Sequence, residues 1–359
     1  MTVELSDEQA TALNAIEAFV ENPRPERPYF VLHGLAGTGK TTVLAEVARR
    51  YPHAHRATFT GKAASVLAGK LGGEVLTIHQ LIYKLESETA RADGKSDLIW
   101  NADESRGAFR GQVVLLDEVS MLNHEISSDL LHTGAKLIAV GDPGQLPPVQ
   151  GDPFFVDPDF TLTQIHRQAW DSGIIRQAHS VRQTGQYSDD RPDVWVLGHA
   201  DEQTVLGADV LVCWKNTTRL MLNRLKRGWL GLAGQPPKAG ETIVCLMNNH
   251  DLGLYNGATY TLAEDYVPGS RRCVVLVDGW ETEVRRTFFE DVDDLGQRWT
   301  AEVTPFGYGY AMTVHKCQGS EWPNVLIYDE YSRTEGRQQW LYTALTRASK
   351  VAAIVRPYR

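Results

Sequence analysis

The run Gly34-Leu-Ala-Gly-Thr-Gly-Lys40-Thr41 sets glycines, one cation and one hydroxyl where a backbone can fold around an anion. The spacing fits a P-loop, in which backbone N–H groups cradle phosphates, the Lys40 ammonium reaches the β and γ phosphates and the Thr41 hydroxyl binds Mg²⁺. ATP and Mg²⁺ are therefore the expected ligands, with Gly37, Thr38, Gly39, Lys40, Thr41 and Thr42 around the phosphates. Asp117-Glu118 follows the apolar run Val113 to Leu116, so two carboxylates stand at the C-terminal end of a buried strand, where open α/β sheets place their ligands. Asp117 then holds Mg²⁺ with Thr41, and Glu118 activates water. A second apolar run, Leu137 to Val140, ends in Gly141-Asp142-Pro143-Gly144-Gln145. Gln145 reads equally well as part of a rigid proline turn or as a sensor of the γ-phosphate.

These residues need a particular frame. Tyr29 to His33 reads as a buried strand, Gly34 to Thr41 as a loop and Thr42 to Arg50 as a helix. Ser6 and Gln9 have capping-box spacing, and Leu13, Ile16 and Phe19 recur at helical intervals, so a first helix precedes that strand and runs to about Val20. Short apolar strands interleaved with helices predict a parallel sheet covered on both faces. Residues 84–110 are polar and irregular, with a hairpin-type turn signal at Asp93-Gly94, and read as a small insertion in the first domain. From about Thr161 a second unit begins. It is interrupted at 239–305, where Gly240, Asn256-Gly257, Pro268-Gly269 and Asp278-Gly279 punctuate short strand-like runs, the pattern of an all-β insertion.

Composition bounds the rest. The 359 residues carry a net charge of -9, and 42% are hydrophobic, which excludes disorder and low-complexity classes. The 239–305 window alone holds 12 acidic and 5 basic side chains, leaving basic stretches elsewhere. Arg49, Arg50, Arg56, Lys62 and Lys70 fall in one acid-free stretch, and Lys215, Arg219, Arg224, Lys226, Arg227 and Lys238 in another. Each is a solvated face or a polyanion contact. The four cysteines show no metal or disulfide spacing, and no run of roughly 18 apolar residues offers a membrane span. With no apolar leader in MTVELSDEQA, a reducing cytoplasmic location is expected.

Together with Thr60-Gly61-Lys62-Ala63-Ala64, Thr77-Ile78-His79, Leu162-Thr163-Gln164-Ile165-His166-Arg167-Gln168, the run Tyr310 to Glu321 and Tyr342-Thr343-Ala344-Leu345-Thr346-Arg347, these motifs resemble those of superfamily 1 helicases of the RecD and Dda type. The resemblance covers nearly the whole chain in order. It implies an α/β fold of two RecA-like P-loop NTPase domains, 1–160 and 161–359, with ATP between them and single-stranded DNA crossing both. The 84–110 insertion then corresponds to a strand-separating pin, and 239–305 to an SH3-like β domain. Gln9 matches an adenine-reading glutamine as well as a capping box. Arg167 and Arg347 match two arginine fingers, and Thr60, Lys62, His79, His315 and Lys316 match DNA-contacting positions. Trp100 or Phe109 is either the wedge of the pin or core packing. The pattern departs at Gln164, where many relatives carry Glu, and at Cys317, where they typically carry Ser, which introduces an oxidisable side chain.

The implied activity is ATP-dependent unwinding with 5′ to 3′ movement on single strands and at single-strand/duplex junctions. The expected setting is replication, repair or recombination, as a monomer beside other proteins of those processes and away from membranes. The competing reading is a DNA-stimulated translocase that strips proteins and unwinds poorly. A non-catalytic adaptor docking through the acidic insertion is disfavoured by intact Lys40, Glu118, Arg167 and Arg347, and a small-molecule kinase has no use for a second domain with its own arginine finger.

Overall fold

The computed structural model describes residues 5–90, 96–101, 105–249, 252–277, 279–290 and 303–356, with side chains described for all of these except 84–101, Arg167 and Gln168. The first half runs α1 (Asp7–Glu21), β1 (Tyr29–Gly34), α2 (Lys40–Arg50), β2 (His55–Thr58), α3 (Gly61–Leu71), β3 (Leu76–Thr77), α4 (Ile78–Ile82), β4 (Lys84–Ala90), β5 (Ser96–Asn101), β6 (Val113–Asp117), α5 (His124–His132), β7 (Lys136–Gly141) and β8 (Phe160–Leu162). Six of these strands form one parallel sheet in the order β3-β2-β6-β7-β1-β8. The near-continuous apolar runs in β1, β6 and β7 suit strands covered on both faces. One face packs on α1, α2 and α3 through Leu13, Ile16, Leu44, Val47 and Leu67, the other on α4 and α5 through Ile78, Ile82 and Leu130.

Helix α1 shows why these elements form where they do. Its capping box is made in both directions between Ser6 and Gln9, Asp7 and Glu8 occupy the first turn, and Ala12, Leu13, Ile16, Phe19 and Val20 lie buried at helical spacing. Full burial of a side chain such as Leu13 contributes on the order of 1.5–3 kcal/mol.

The second half contains α6 (Arg167–Trp170), α7 (Gly173–Thr184), β9 (Val194–Leu197), α8 (Glu202–Gly207), β10 (Val210–Cys213), α9 (Asn216–Trp229), then β11 (Thr242–Cys245), β12 (Thr259–Leu262), β13 (Arg272–Val277), β14 (Trp280–Arg285), β15 (Thr287–Phe289) and β16 (Thr304–Tyr308), and finally β17 (Ala311–Thr313), α10 (Val314–Cys317), β18 (Trp322–Tyr328), α11 (Arg337–Leu345) and β19 (Ala348–Val355). A second parallel sheet has the order β17-β10-β18-β19-β9. It also has a core on each face, one around Trp340, Tyr342 and Ile354, the other around Leu211, Leu222 and Leu326.

Between α9 and β17 the chain builds a third sheet, β14-β13-β12-β11-β16-β15, antiparallel except where β15 meets β16. Its own core holds Phe289, Phe306, Leu262 and Val275. This sheet closes at Tyr308 rather than at 305, and the first sheet takes in β8 as far as Leu162 rather than stopping at 160.

Within 84–110 the strands β4 and β5 pair as an antiparallel hairpin, where the sequence predicts irregular chain. Asp93-Gly94 and the side chain of Trp100 lie outside the described residues. Phe109 is partly buried and packs against the core on one face of the first sheet, its ring 4.6 Å from the His55 ring.

Half of the basic stretch in 210–240 is internal, while Lys215 and Arg224 stay exposed as on a solvated face. Arg227 is buried against Glu241 at 2.8 Å, Lys226 donates to the Ala208 carbonyl at 2.6 Å, and Arg219 pairs with Glu290 at 2.9 Å. Helix α9 turns these cations inward, where each finds an oxygen. Among the described residues no helix is long and apolar enough to cross a membrane.

Candidate functional site

The loop after β1 turns on Gly37 (φ 86°) and Gly39 (φ 79°), both in the left-handed region that a side chain would strain. Space forbids a side chain as well, since a Cβ on Gly39 would collide with the Gln9 carboxamide. Thr38 is buried and ties the loop by donating its hydroxyl to the Leu35 carbonyl at 2.9 Å. Lys40 opens α2, and its ammonium donates to the carbonyls of Gly34 (2.7 Å) and Leu35 (3.0 Å) and lies 3.5 Å from Asp142 Oδ2. The loop, Lys40, Thr41 and Thr42 line a cleft of about 490 Å³ that also exposes Asp117, Glu118, Gln145, His166, Glu321 and Arg347.

Strand β6 delivers the two carboxylates by a sharp turn. Asp117 ends the strand, its Oδ1 accepting the Glu118 N–H at 2.9 Å, and Glu118 adopts φ 55°. A non-glycine residue held there costs on the order of 1–3 kcal/mol, which the surrounding packing sustains. Burial pushes the Asp117 carboxyl above its ordinary range. It pushes Glu118 up too, helped by the Asp117 charge beside it, while Arg347 and Lys40 oppose the shift. Gln145 points its amide at Glu118 Oε1 at 3.5 Å, and its own Oε1 is buried with no hydrogen-bond partner.

The second half contributes Arg347, at the end of α11. It is buried, and its guanidinium donates to the carbonyls of Thr343 (3.0 Å), Ser320 (3.1 Å) and Cys317 (3.4 Å) and to the Thr346 hydroxyl (3.1 Å). The side chain of Arg167 lies outside the described residues. Cys317 is fully buried, and burial pushes its thiol up to about 12, which corrects the expected sensitivity to oxidation: oxidation needs an accessible thiolate.

Two residues in the site escaped the sequence reading. Tyr342 bridges the halves, its hydroxyl accepting the Ala36 N–H at 2.6 Å and donating to Asp142 Oδ2 at 2.7 Å. His166 places Nε2 2.8 Å from Gln9 Nε2 and donates its backbone N–H to the Gly37 carbonyl at 3.1 Å. Both stand inside quoted motifs, yet their partners are far away in sequence, and only the strand order brings them together.

None of Thr60, Lys62, His79, His315 and Lys316 lines the cleft. Thr60 caps α3 by accepting the Ala63 N–H at 3.2 Å. A Cβ on Gly319 would lie 3.0 Å from the Thr60 hydroxyl and 2.6 Å from Ala63, and one on Gly61 would strike the Tyr255 ring of the inserted sheet. The start of α3 therefore touches both the loop after α10 and the insertion. His79 lies between Phe59 and Tyr83, edge-on to the first and tilted to the second, with centroids at 5.8 and 5.6 Å. Burial pushes the imidazoles of His79 and His315 below their ordinary value, and likewise the Lys316 ammonium, with Arg219 adding to the last.

For a divalent cation, the cleft offers the Thr41 hydroxyl and the Asp117 carboxylate. Among the described residues no group of three or more His, Cys, Asp or Glu could hold one. Two hard oxygen donors completed by phosphate and water oxygens fit Mg²⁺, which is seldom caged by protein alone.

The AAA domain family matches residues 4–190, and the UvrD-like helicase C-terminal domain matches 308–355. Among curated proteins, the chain is 28% identical over 379 residues to the ATP-dependent RecD2 DNA helicase of Deinococcus radiodurans, covering 96% of the chain and 48% of that protein. It is 24% identical over 406 residues to the RecBCD enzyme subunit RecD of Mycolicibacterium smegmatis, covering 90% and 68%. The chain thus spans about half the length of the RecD2 protein. Among solved structures, Bacteroides Pif1 bound to single-stranded DNA superposes with a TM-score of 0.63 at 17% identity, covering 100% of this chain and 93% of that one. A structure of two coordinating Pif1 helicases on forked duplex DNA gives 0.66 at 18%, with the same coverage. At these identities the likeness is one of fold.

Proposed function

Because the chain belongs to the AAA domain family and, with its UvrD-like C-terminal domain, to the superfamily 1 helicases of the RecD and Pif1 type, we propose that it is an ATP-dependent DNA helicase moving 5′ to 3′ on single-stranded DNA. The observation that carries this reading is Arg347, brought by the second sheet into the cleft that Lys40, Asp117 and Glu118 line from the first. A cleft closed by both halves makes the fit between them depend on the nucleotide.

In this mechanism Lys40 exchanges the carbonyls of Gly34 and Leu35 for the β and γ phosphates. Thr41 and Asp117 would hold Mg²⁺, which would neutralise phosphate charge. Glu118, displaced toward the cleft by its left-handed turn, takes the proton of the attacking water, and Gln145 orients both. Arg347, with Arg167 as a second finger, stabilises the charge that develops on the transferred phosphoryl group. Its guanidinium is already fixed by four oxygens, so little reorganisation is needed at the moment of reaction. The contact of Tyr342 with Ala36 and Asp142 passes changes in the P-loop to the second sheet.

The motor engages DNA through Thr60, Lys62, His79, His315 and Lys316, and one half steps relative to the other as the cleft opens and closes. The division into domains near residue 160, the hairpin as a pin and the third sheet as an SH3-like module belong to the same proposal. So do monomeric action, a cytoplasmic setting and partners in replication, repair or recombination.

The test is ATP hydrolysis with and without single-stranded DNA, followed by strand separation of duplexes bearing a 5′ or a 3′ tail. DNA-stimulated hydrolysis and unwinding of the 5′-tailed duplex are expected. Unwinding from the 3′ tail overturns the polarity, and hydrolysis indifferent to DNA overturns the motor. Because β4 and β5 are short for a wedge, displacement of a bound protein without unwinding selects the translocase reading instead.

A further inference from the structure

The segment joining the two halves is held by the first turn of α1. Glu8 Oε1 accepts the Thr163 N–H at 2.9 Å and the Thr163 hydroxyl at 2.7 Å, and Glu8 Oε2 accepts the Gln164 N–H at 2.9 Å. Although burial raises it, these bonds hold the Glu8 carboxyl below its ordinary range. The next residue, Gln9, is 2% exposed and meets His166 at 2.8 Å, while the His166 backbone is bonded to Gly37. Helix, connecting segment and P-loop therefore converge on one imidazole.

The hydrogen bonds fix which atoms are which. The Ser6 N–H can only donate, so the Gln9 atom 3.0 Å away is Oε1 and the other is the amide nitrogen. That nitrogen can only donate, so His166 Nε2 is the bare acceptor and the ring proton sits on Nδ1, an assignment made from the network. With Ser6 and His166 satisfied, Gln9 keeps one N–H and one Oε1 lone pair. A donor beside an acceptor complements adenine, which offers an N6 amino group and N7; guanine offers two acceptors at that edge and needs two donors.

We propose that His166 is a specificity-determining positioning residue of the nucleotide site: it locks the Gln9 carboxamide in the orientation that reads adenine and refuses guanine. Being one residue before Arg167, it also ties the presence of the base to the start of α6. The inference rests on the reading of Gln9 as a base contact.

The experiment compares kcat/KM for ATP and for GTP, with single-stranded DNA present, in the wild type, Gln9→Ala, His166→Ala and His166→Gln. The wild type is expected to prefer ATP by about tenfold or more, the ratio one bidentate base-edge contact supplies. Both alanine variants should bring the ratio to within about twofold, chiefly through KM for ATP, and His166→Gln, whose Oε1 is an acceptor, should restore it. A wild type without preference, or a Gln9→Ala ratio that stays high, overturns both this inference and the base-contact reading. Collapse in Gln9→Ala with the ratio kept in His166→Ala overturns the role of His166 alone. If His166→Ala does not fold, His166→Phe, which fills the ring volume without an acceptor, decides by the same ratio.

Discussion

The cleft and the face around α3 and α10 hold their charges in opposite ways. In the cleft, the Lys40 ammonium has three oxygens around it and the Arg347 guanidinium four, and Asp142 accepts from Gly144 as well as Tyr342. On the other face, Lys62 and Lys316 have no hydrogen-bonding or ion-pair partner among the described residues. Fixed charges suit a reaction whose transition state must find its electrostatics in place. Unengaged ammonium groups suit the proposed role of gripping and releasing a phosphate backbone without regard to sequence.

The largest effect should come from Arg347→Lys. A lysine cannot reproduce four directed bonds, and loss of a finger lowers kcat by about 10³-fold, while single-stranded DNA binding stays nearly unchanged in a titration. If DNA affinity falls in parallel with kcat, the two regions are not separable as described. Glu118→Gln should lower kcat by at least about 10²-fold with nucleotide binding retained, as read by fluorescent-nucleotide titration. A smaller loss would assign the proton acceptor elsewhere.

Lys62→Ala should act in the other direction. Basal hydrolysis stays, DNA affinity drops several-fold, and the slope of log affinity against log salt falls by about 0.7. An unchanged salt slope would mean that Lys62 does not meet phosphate.

The smallest effect is one of pH on stability. His79 and His315 are held below the ordinary imidazole value of 6.5, so the folded state favours their neutral form. Their contribution is fully present above 6.5 and lost as pH falls through the window below it. The urea midpoint should therefore decline between pH 7 and pH 5, and His79→Phe should flatten that decline.

Much of the cleft is legible from sequence because its parts are local. The glycine loop, Lys40 and Thr41 are consecutive, and Asp117-Glu118 directly follows the strand that exposes it. What was illegible depends on distance along the chain: Tyr342 meets Asp142 across 200 residues and Ala36 across 306. Charge counting over 210–240 misplaces half of its cations for a related reason. It sees Arg219 and Arg227 without Glu290 and Glu241, which lie beyond the window it scans. In 84–110 the hairpin-type turn signal at Asp93-Gly94 is legible but the flanking strands are not, because they carry few β-formers and pairing rather than propensity sets their conformation.

Leu146, from the loop after β7, is buried in the core of the second sheet, where its N–H is bonded to the Thr343 hydroxyl at 3.0 Å and its carbonyl accepts from Gln318 at 3.2 Å. Leu35 and Ala36 pack against the same core. The first half therefore has apolar surface that only the second half can cover. A polypeptide cut after Leu162 would leave that surface wet, and heating the intact chain should melt both sheets in one cooperative transition.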